Sequence, residues 1–313
     1  MLPPTLIGLA GFWFHHHQIP AWLPPSLALH IPGLSSRIVL LLSLITAATA
    51  LHVMGLIDDR KHLGPWIKLF IQLAVATLLA TIGRIRFDFF IHNQIITTIM
   101  SVLWMVIIIN AFNFLDNMDG LSAGIGIICA AMILGAAWSS GQVFVCALLL
   151  LLIGALLGFL FFNFAPAKIF LGDAGSLLIG LLLAVLSIRT TYYQQIQGGT
   201  WYTTFMPVIV LAVPLYDFIS VTLLRISQGA SPFVGDKQHF SHRLVARGMT
   251  TRQAVLTIYL ATAGTGLGAT FLHQVSKIGV ILVCIQTLLI VLIIAILERP
   301  VKPADDNIKG SLQ

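Results

Sequence analysis

Runs of about twenty consecutive apolar residues fill most of this chain, and they leave it few ways to fold. A helix needs about 20 residues to cross the hydrocarbon of a bilayer. Inside that layer every backbone N–H and C=O must find its partner within the protein, which favours helices. Nine stretches qualify, running from Ser36 to Ile57, Pro65 to Gly83, Gln94 to Leu115, Leu121 to Trp138, Val143 to Phe162, Ala174 to Tyr192, Thr203 to Ile226, Arg252 to His273 and Lys277 to Leu297. A shorter run, Leu6 to Phe14, is a candidate tenth. The expected fold is all-α: a polytopic transmembrane helical bundle of nine to ten spans, one domain over residues 1–313, with 299–313 as a polar, proline-containing disordered tail. Charged residues make up only 9% of the chain, against about 25% in soluble domains, while 58% are hydrophobic. A water-soluble protein of this size could not bury so much apolar surface.

The loops orient the bundle. With the Asp58-Asp59 end inside, the inner side receives 12 Lys and Arg residues and the outer side 5, as the positive-inside rule requires. Asp58, Asp59, Asp116, Asp119, Asp173 and Asp236 all fall on that inner side, and Asp88 is the one acidic residue of an outer loop. Asp217 lies within a span, where a charge costs roughly 2.5–3.5 kcal/mol; it should face the bundle interior, with Arg225 as its candidate partner. The net charge of +6 comes from scattered residues without a basic-aromatic stripe. It therefore points to anionic lipid or a phosphorylated substrate and not to nucleic acid. Cys129, Cys146 and Cys284 sit in apolar runs without a Cys-x-x-Cys pair, so they read as packing residues. No basic n-region of a signal peptide precedes the first apolar run.

Four constellations carry chemistry. Gly55-Leu-Ile-Asp58-Asp59-Arg60 ends a span with adjacent carboxylates, which need a cation beside them. Asn110, Asn113, Asp116 and Asp119 recur every three residues, so they line one edge of an apolar helix that Gly120 then terminates. Solvation of a helix end accounts for Asp119 but not for Asn110, which lies deeper. In the segment Asn163 to Ser176, Asp173 stands in the position of an N-cap behind Gly172, where a helix N-terminus favours phosphate. In Asp236-Lys237-Gln238-His239-Phe240-Ser241-His242-Arg243, two histidines and two cations form a donor patch suited to a diphosphate. Those histidines could hold zinc only with a further ligand, for instance a carboxylate. His15-His16-His17 is a local run and reads as an interfacial segment. Together the constellations bring at least five carboxylates and two histidines to one membrane face. Oxygen donors of this kind suit Mg²⁺, which works with phosphates and retained waters. No Walker-type loop is present, which disfavours an ATP-driven pump.

These four constellations, in this order and each at a helix end, resemble the polyprenyl-phosphate N-acetylhexosamine-1-phosphate transferases, which are glycosyltransferase family 4-like. The resemblance runs from about Ser36 to Leu297. It implies a single integral membrane transferase domain that transfers N-acetylhexosamine-1-phosphate from a UDP-N-acetylhexosamine to polyprenyl phosphate, releasing UMP. It further implies an Mg²⁺-dependent enzyme (Mn²⁺ being the alternative ion) of the bacterial inner membrane, with its active site facing the cytoplasm. The product would open the synthesis of a cell-envelope polysaccharide such as lipopolysaccharide or a cell-wall polymer. By resemblance Asp173 is the metal ligand, and Asp58, Asp59, Asp116 and Asp119 are the catalytic carboxylates. Asn113, Lys168, His239, His242 and Arg243 would bind substrate. The partners implied are the lipid phosphate, the UDP-sugar and the membrane, with a homodimer as the candidate assembly.

The fourth constellation points to the undecaprenyl-phosphate N-acetylglucosamine-1-phosphate transferase branch. The related phospho-N-acetylmuramoyl-pentapeptide transferases carry a Pro-x-His-His-His-Phe-Glu run there, whereas the aminosugar branch carries His-x-His-His. This chain has His239-Phe-Ser241-His242, with Ser241 in place of the middle histidine. The family also begins with a further span and a cytoplasmic loop containing a Gly-Gly pair, which this chain, starting Met1-Leu-Pro-Pro, is expected to lack. Two other functions compete. A secondary transporter would place its coupling residues near the midplane of a repeated architecture, and a non-catalytic membrane subunit would release no UMP.

Overall fold

The computed structural model describes residues 37–87, 91, 93–190, 201–229, 239–272, 275 and 277–298. All regular structure among them is helical. In chain order the α-helices are α1 (Ile38–Lys61), α2 (Pro65–Thr81), α3 (Gln94–Leu115), α4 (Leu121–Ser139), α5 (Val143–Asn163), α6 (Gly172–Arg189), α7 (Met206–Val210), α8 (Ala212–Ser227), α9 (Phe240–Ala246), α10 (Thr251–Thr270) and α11 (Lys277–Leu297). A short 3₁₀ turn, Trp201–Phe205, leads into α7.

Local chemistry sets the boundaries. The Asn93 side chain accepts the N–H groups of Ile95 and Ile96 and so starts α3. Thr250 and Gln253 form a reciprocal capping box at the start of α10. His62 adopts a left-handed conformation (φ 41°) that closes α1, and Pro65 opens α2 at a position that needs no N–H.

Six helices, α1, α3, α4, α5, α6 and α11, are long and apolar enough to cross a membrane. A seventh span is obtained if the segment through α7 and α8, bent by 64°, counts as one. The described residues therefore fall short of the nine to ten spans expected from the sequence, for three physical reasons. Helix α2 has 17 residues and, at about 1.5 Å per residue, is shorter than the hydrocarbon is thick. Helix α10 is diluted by threonine and glycine. The stretch from Thr203 to Ile226 breaks at Leu211, three residues before Pro214. The run Leu6 to Phe14, His15 to His17 and the tail 299–313 lie outside the described residues, as do Asp88 and Asp236 to Gln238.

Helix α6 is the most enclosed of the spanning helices; it packs along α3 and α1, while α4 packs against α5 and α10. Leu51, Leu79, Ile109, Phe112, Leu121 and Leu181 are fully buried between them. The outward faces are equally apolar: Phe161 is 82% exposed, Leu260 75%, Phe70 73% and Trp138 73%. Water would penalise such a surface and lipid would not. The chain is an integral membrane protein. An apolar groove of about 500 Å³ between α1, α5 and α6 has Thr49 as its one polar lining side chain. Its lower end reaches Leu171 and Gly175, beside the polar centre described next.

Candidate active site

The C-terminal end of α1 and the N-terminal end of α6 meet at a contact that two glycines make possible. A Cβ on Gly55 would lie 2.4 Å from the Ala174 Cα, so the helices could not approach this closely with any other residue there. Gly172 has φ +64°, and a Cβ on it would lie 2.7 Å from an Asp59 carboxylate oxygen. That space lets Asp59 accept the N–H groups of Asp173 (2.9 Å) and Ala174 (3.4 Å). A carboxylate from another helix therefore satisfies the first turn of α6 and its dipole. This corrects the expectation that Asp173 is the cap. The helix already begins at Gly172, and Asp173 sits inside its first turn with its carboxylate available elsewhere.

That carboxylate meets a lysine. Lys68, in the first turn of α2, places Nζ 2.5 Å from Asp58 Oδ2 and 2.9 Å from Asp173 Oδ2. The other oxygen of Asp58 accepts the Leu63 N–H at 2.5 Å, so the tight α1–α2 turn delivers the ammonium to the acidic pair. The second Asp173 oxygen accepts from Asn113 Nδ2 at 2.8 Å, and the same amide donates to Ser176 Oγ at 3.1 Å. Three helix ends and the start of α2 are thus tied by charge-assisted hydrogen bonds.

The remainder of the Asn110-to-Asp119 edge divides. Asp116, at the C-terminal end of α3, has its carboxyl pushed up to about 7. Burial contributes most, followed by the charges of Asp173 and Asp59, with the Gly172 N–H acting in the opposite direction and Asp119 adding a smaller push. Asp119 accepts the Ala167 N–H at 3.0 Å and pins the α5–α6 loop. Gly120 N–H is bound by Asn163, whose amide also donates to the Ile169 carbonyl. Asn110 instead pairs with Gln72 of α2 (Asn110 Nδ2 to Gln72 Oε1, 2.7 Å) and joins two helices away from the carboxylates.

The histidine segment lies against the other side of the α3 end. Ser241 donates to Asn117 Oδ1 at 2.6 Å, and the His239 ring stands edge-on to Phe114 at 5.6 Å. Asp217 takes His239 as its partner, with Oδ2 2.9 Å from Nδ1. Arg225, the partner expected from the sequence, places its guanidinium 4.9 Å from the Phe114 ring centre. His242 is half-buried. Arg243 is directed to Glu298 at the end of α11 (3.0 Å), and Tyr216 donates to the same carboxylate at 2.7 Å. Lys168 is exposed on the α5–α6 loop.

Asp58, Asp59, Asn113, Asp116 and Asp173 therefore form one centre, with Asp119 at its margin, His239 held on the other side of the α3 end, Arg243 directed to Glu298 and Lys168 exposed on the α5–α6 loop. Lys68 belongs to the centre and was missed as a site residue in the sequence. Its signal was a lone lysine one turn into an apolar helix, just past the acidic pair. Ser241 stands where the resemblance expects a histidine, and its bond to Asn117 is one of those that fasten this segment.

The centre presents carboxylate oxygens whose negative charge exceeds what Lys68 offsets, and burial first, then the charges of Asp173 and Asp59, raises the Asp116 carboxyl. Such donors fit a hard divalent cation. Among the described residues no three His, Cys, Asp or Glu side chains are grouped to hold an ion unaided.

Fold and site together define an integral membrane helical protein with its polar chemistry concentrated at the joined ends of its helices. Residues 41–191, which include Asp58 to Asp173, match the family model for glycosyl transferase family 4. A probable undecaprenyl-phosphate N-acetylglucosaminyl 1-phosphate transferase of Bacillus subtilis is 38% identical over 66% of this chain and 59% of its own length. A decaprenyl-phosphate N-acetylglucosaminephosphotransferase of Mycolicibacterium smegmatis is 33% identical over 82% of this chain and 70% of its own length. An undecaprenyl-phosphate alpha-N-acetylglucosaminyl 1-phosphate transferase of Escherichia coli is 30% identical over 74% and 66%. The chain belongs to glycosyl transferase family 4, and it spans between 59% and 70% of the length of these relatives.

Proposed function

We propose that this chain transfers N-acetylglucosamine-1-phosphate from UDP-N-acetylglucosamine to a polyprenyl phosphate such as undecaprenyl phosphate, giving polyprenyl-diphospho-N-acetylglucosamine and UMP. The observation that carries this reading is the Asp58–Lys68–Asp173 junction, ringed by Asp59, Asn113 and Asp116 at the ends of apolar helices. A site at such a place can receive a lipid-borne phosphate from the membrane and a nucleotide from water. The names of the relatives supply the substrate class. The excess of Lys and Arg on the same side supports a cytoplasm-facing site in the bacterial inner membrane. On this reading α2 and α10 also cross, packed against longer neighbours, and the reaction is the first membrane step of a cell-envelope polysaccharide.

In the reaction an oxygen of the lipid phosphate attacks the phosphorus that bears the sugar. The bond from that phosphorus to the bridging oxygen breaks, and UMP leaves. A phosphate monoester is largely dianionic at neutral pH, its second pKa being about 6, so the nucleophile needs placement more than deprotonation. Asp58, with both oxygens engaged, acts by holding Lys68. An ammonium has three donors; two serve Asp58 and Asp173, and the third is offered to the incoming phosphate. Asp59 keeps the first turn of α6 in place, and Asn113 orients the Asp173 carboxylate. Asp173 would hold Mg²⁺, which neutralises phosphoryl oxygens and makes the phosphorus more electrophilic.

The test is UMP release by membranes containing this chain, supplied with polyprenyl phosphate, UDP-N-acetylglucosamine and Mg²⁺. Release should require the lipid, stop with EDTA and fall at least about a hundredfold in Asp173→Asn, whose protein should remain folded in detergent. Lipid-independent release, or near-normal turnover in Asp173→Asn, would remove the basis of the reading.

A further inference from the structure

Among the described residues Asp217 is the fully buried carboxylate, and the reaction as described makes no use of it. It lies on α8, is fully buried, and both of its oxygens are engaged by the start of the histidine segment. Oδ2 is 2.9 Å from His239 Nδ1, and Oδ1 accepts the Phe240 N–H at 3.3 Å. An ionised carboxylate only accepts hydrogen bonds. With Asp217 as the acceptor, Nδ1 is the donor of this pair, and Nε2 is the ring nitrogen left to meet a substrate. The ring has little freedom to turn away: it is 5% exposed and stands edge-on to Phe114 near the C-terminal end of α3. One residue beyond Phe240, Ser241 is fastened to Asn117, just past that helix end.

Burying a carboxylate to anchor a helix is a poor bargain, since apolar residues of similar volume do so at equal or lower cost. What an apolar residue could not do is fix the protonated nitrogen of His239. We propose that Asp217 is a positioning residue: it holds the proton on His239 Nδ1, so that Nε2 meets the diphosphate of the nucleotide-sugar. A phosphoryl oxygen at Nε2 requires a second proton there, and the Asp217 carboxylate at Nδ1 offsets the charge that this proton adds, which makes the bond to phosphate charge-assisted. This inference rests on the nucleotide-sugar reading above.

Asp217→Asn separates positioning from packing, because the volume is nearly unchanged. The amide cannot accept from both Phe240 N–H and Nδ1–H without turning its own NH₂ toward one of these donors. Turned toward the ring, it makes Nδ1 an acceptor and leaves Nε2–H as a neutral donor. Binding of UDP-N-acetylglucosamine and of UMP is measured on purified protein, and turnover on membranes, for wild type, Asp217→Asn, Asp217→Glu and His239→Gln. Asp217→Asn should lose about tenfold to a hundredfold in kcat/KM for the nucleotide-sugar, with the KM for lipid phosphate and the melting temperature held. UDP-N-acetylglucosamine binding should weaken more than UMP binding. Asp217→Glu, which keeps the carboxylate, should recover most of the loss, and in a His239→Gln background Asp217→Asn should add little further loss. The inference is overturned if Asp217→Asn matches wild type, or if its losses fall equally on lipid and nucleotide-sugar. It is also overturned if they follow a lowered melting temperature that Asp217→Glu does not restore. Failure of the wild type itself to bind or turn over the nucleotide-sugar overturns the functional reading, and this inference with it.

Discussion

Lys68→Met tests the centre most directly, because methionine keeps much of the side-chain length and removes only the ammonium. In the wild type, Nζ lies 2.5 Å from one carboxylate and 2.9 Å from the other, and the side chains of Lys68, Asp58 and Asp173 are 26%, 7% and 24% exposed. Without the ammonium, the Asp58 and Asp173 carboxylates, which lie within reach of each other, are left facing one another. At roughly 4 Å and an effective dielectric constant of about 20, two such charges repel by about 4 kcal/mol. Removing one partner of a buried ion pair costs about 3–5 kcal/mol, and the partial exposure here places the expected loss at the lower end. The melting temperature in detergent should then fall by on the order of 5–10 °C. Two further results are specific to charge. Asp58→Asn in the Lys68→Met background should recover much of the loss, since it removes one of the repelling charges. Added Mg²⁺ should stabilise the Lys68→Met protein more than the wild type, because a cation can take the vacated position. An unchanged melting temperature, or no recovery with Asp58→Asn, would show that the ammonium does not balance this pair.

Gly55→Ala places a methyl group 2.4 Å from backbone atoms of Ala174, which cannot yield unless α1 and α6 separate; a loss of about 1–3 kcal/mol should appear as a lower melting temperature together with reduced UMP release, and an unaltered protein would disprove the close contact. Asn110→Leu leaves Gln72, which is 2% exposed, without its partner, at a cost of about 1–3 kcal/mol. The double variant with Gln72→Leu should regain stability and keep turnover, whereas lost turnover in the stable double variant would return Asn110 to the reaction.

The sequence made the fold class legible because the membrane imposes it: apolar runs of spanning length can only be helices, and Gln94–Leu115 and Lys277–Leu297 have the bounds read from the sequence. Span number was less legible, because a length count treats a bent segment and a short helix as it treats a straight one. The candidate carboxylates were legible from their place at span ends. Their division of labour was not, because it depends on contacts across the bundle. Asp173 reads as a cap until Asp59, 114 residues earlier, is seen to accept its N–H. Asn110 and Asn113 share a spacing, but Asn110 faces Gln72 and Asn113 faces Asp173. Asp217 and Arg225 are two turns apart on one helix, and the partner that prevails comes from a segment 22 residues on.

The energetics of the centre argue for its use. Four carboxylates, Asp58, Asp59, Asp116 and Asp173, gather around one lysine, and holding the Asp116 carboxyl there, raised by burial and by its acidic neighbours, carries a cost. Replacing Asp116 by a neutral residue would relieve that cost, and its backbone position needs no charge. Structure alone also gives no reason to draw α1 and α6 into contact through Gly55, because a looser crossing would tolerate any small residue. The contact makes sense if Asp59 must reach the first turn of α6 and leave Asp173 facing Lys68. A site held in this way is short of positive charge, and on the proposed reading a divalent cation arriving with the phosphorylated substrate would supply it.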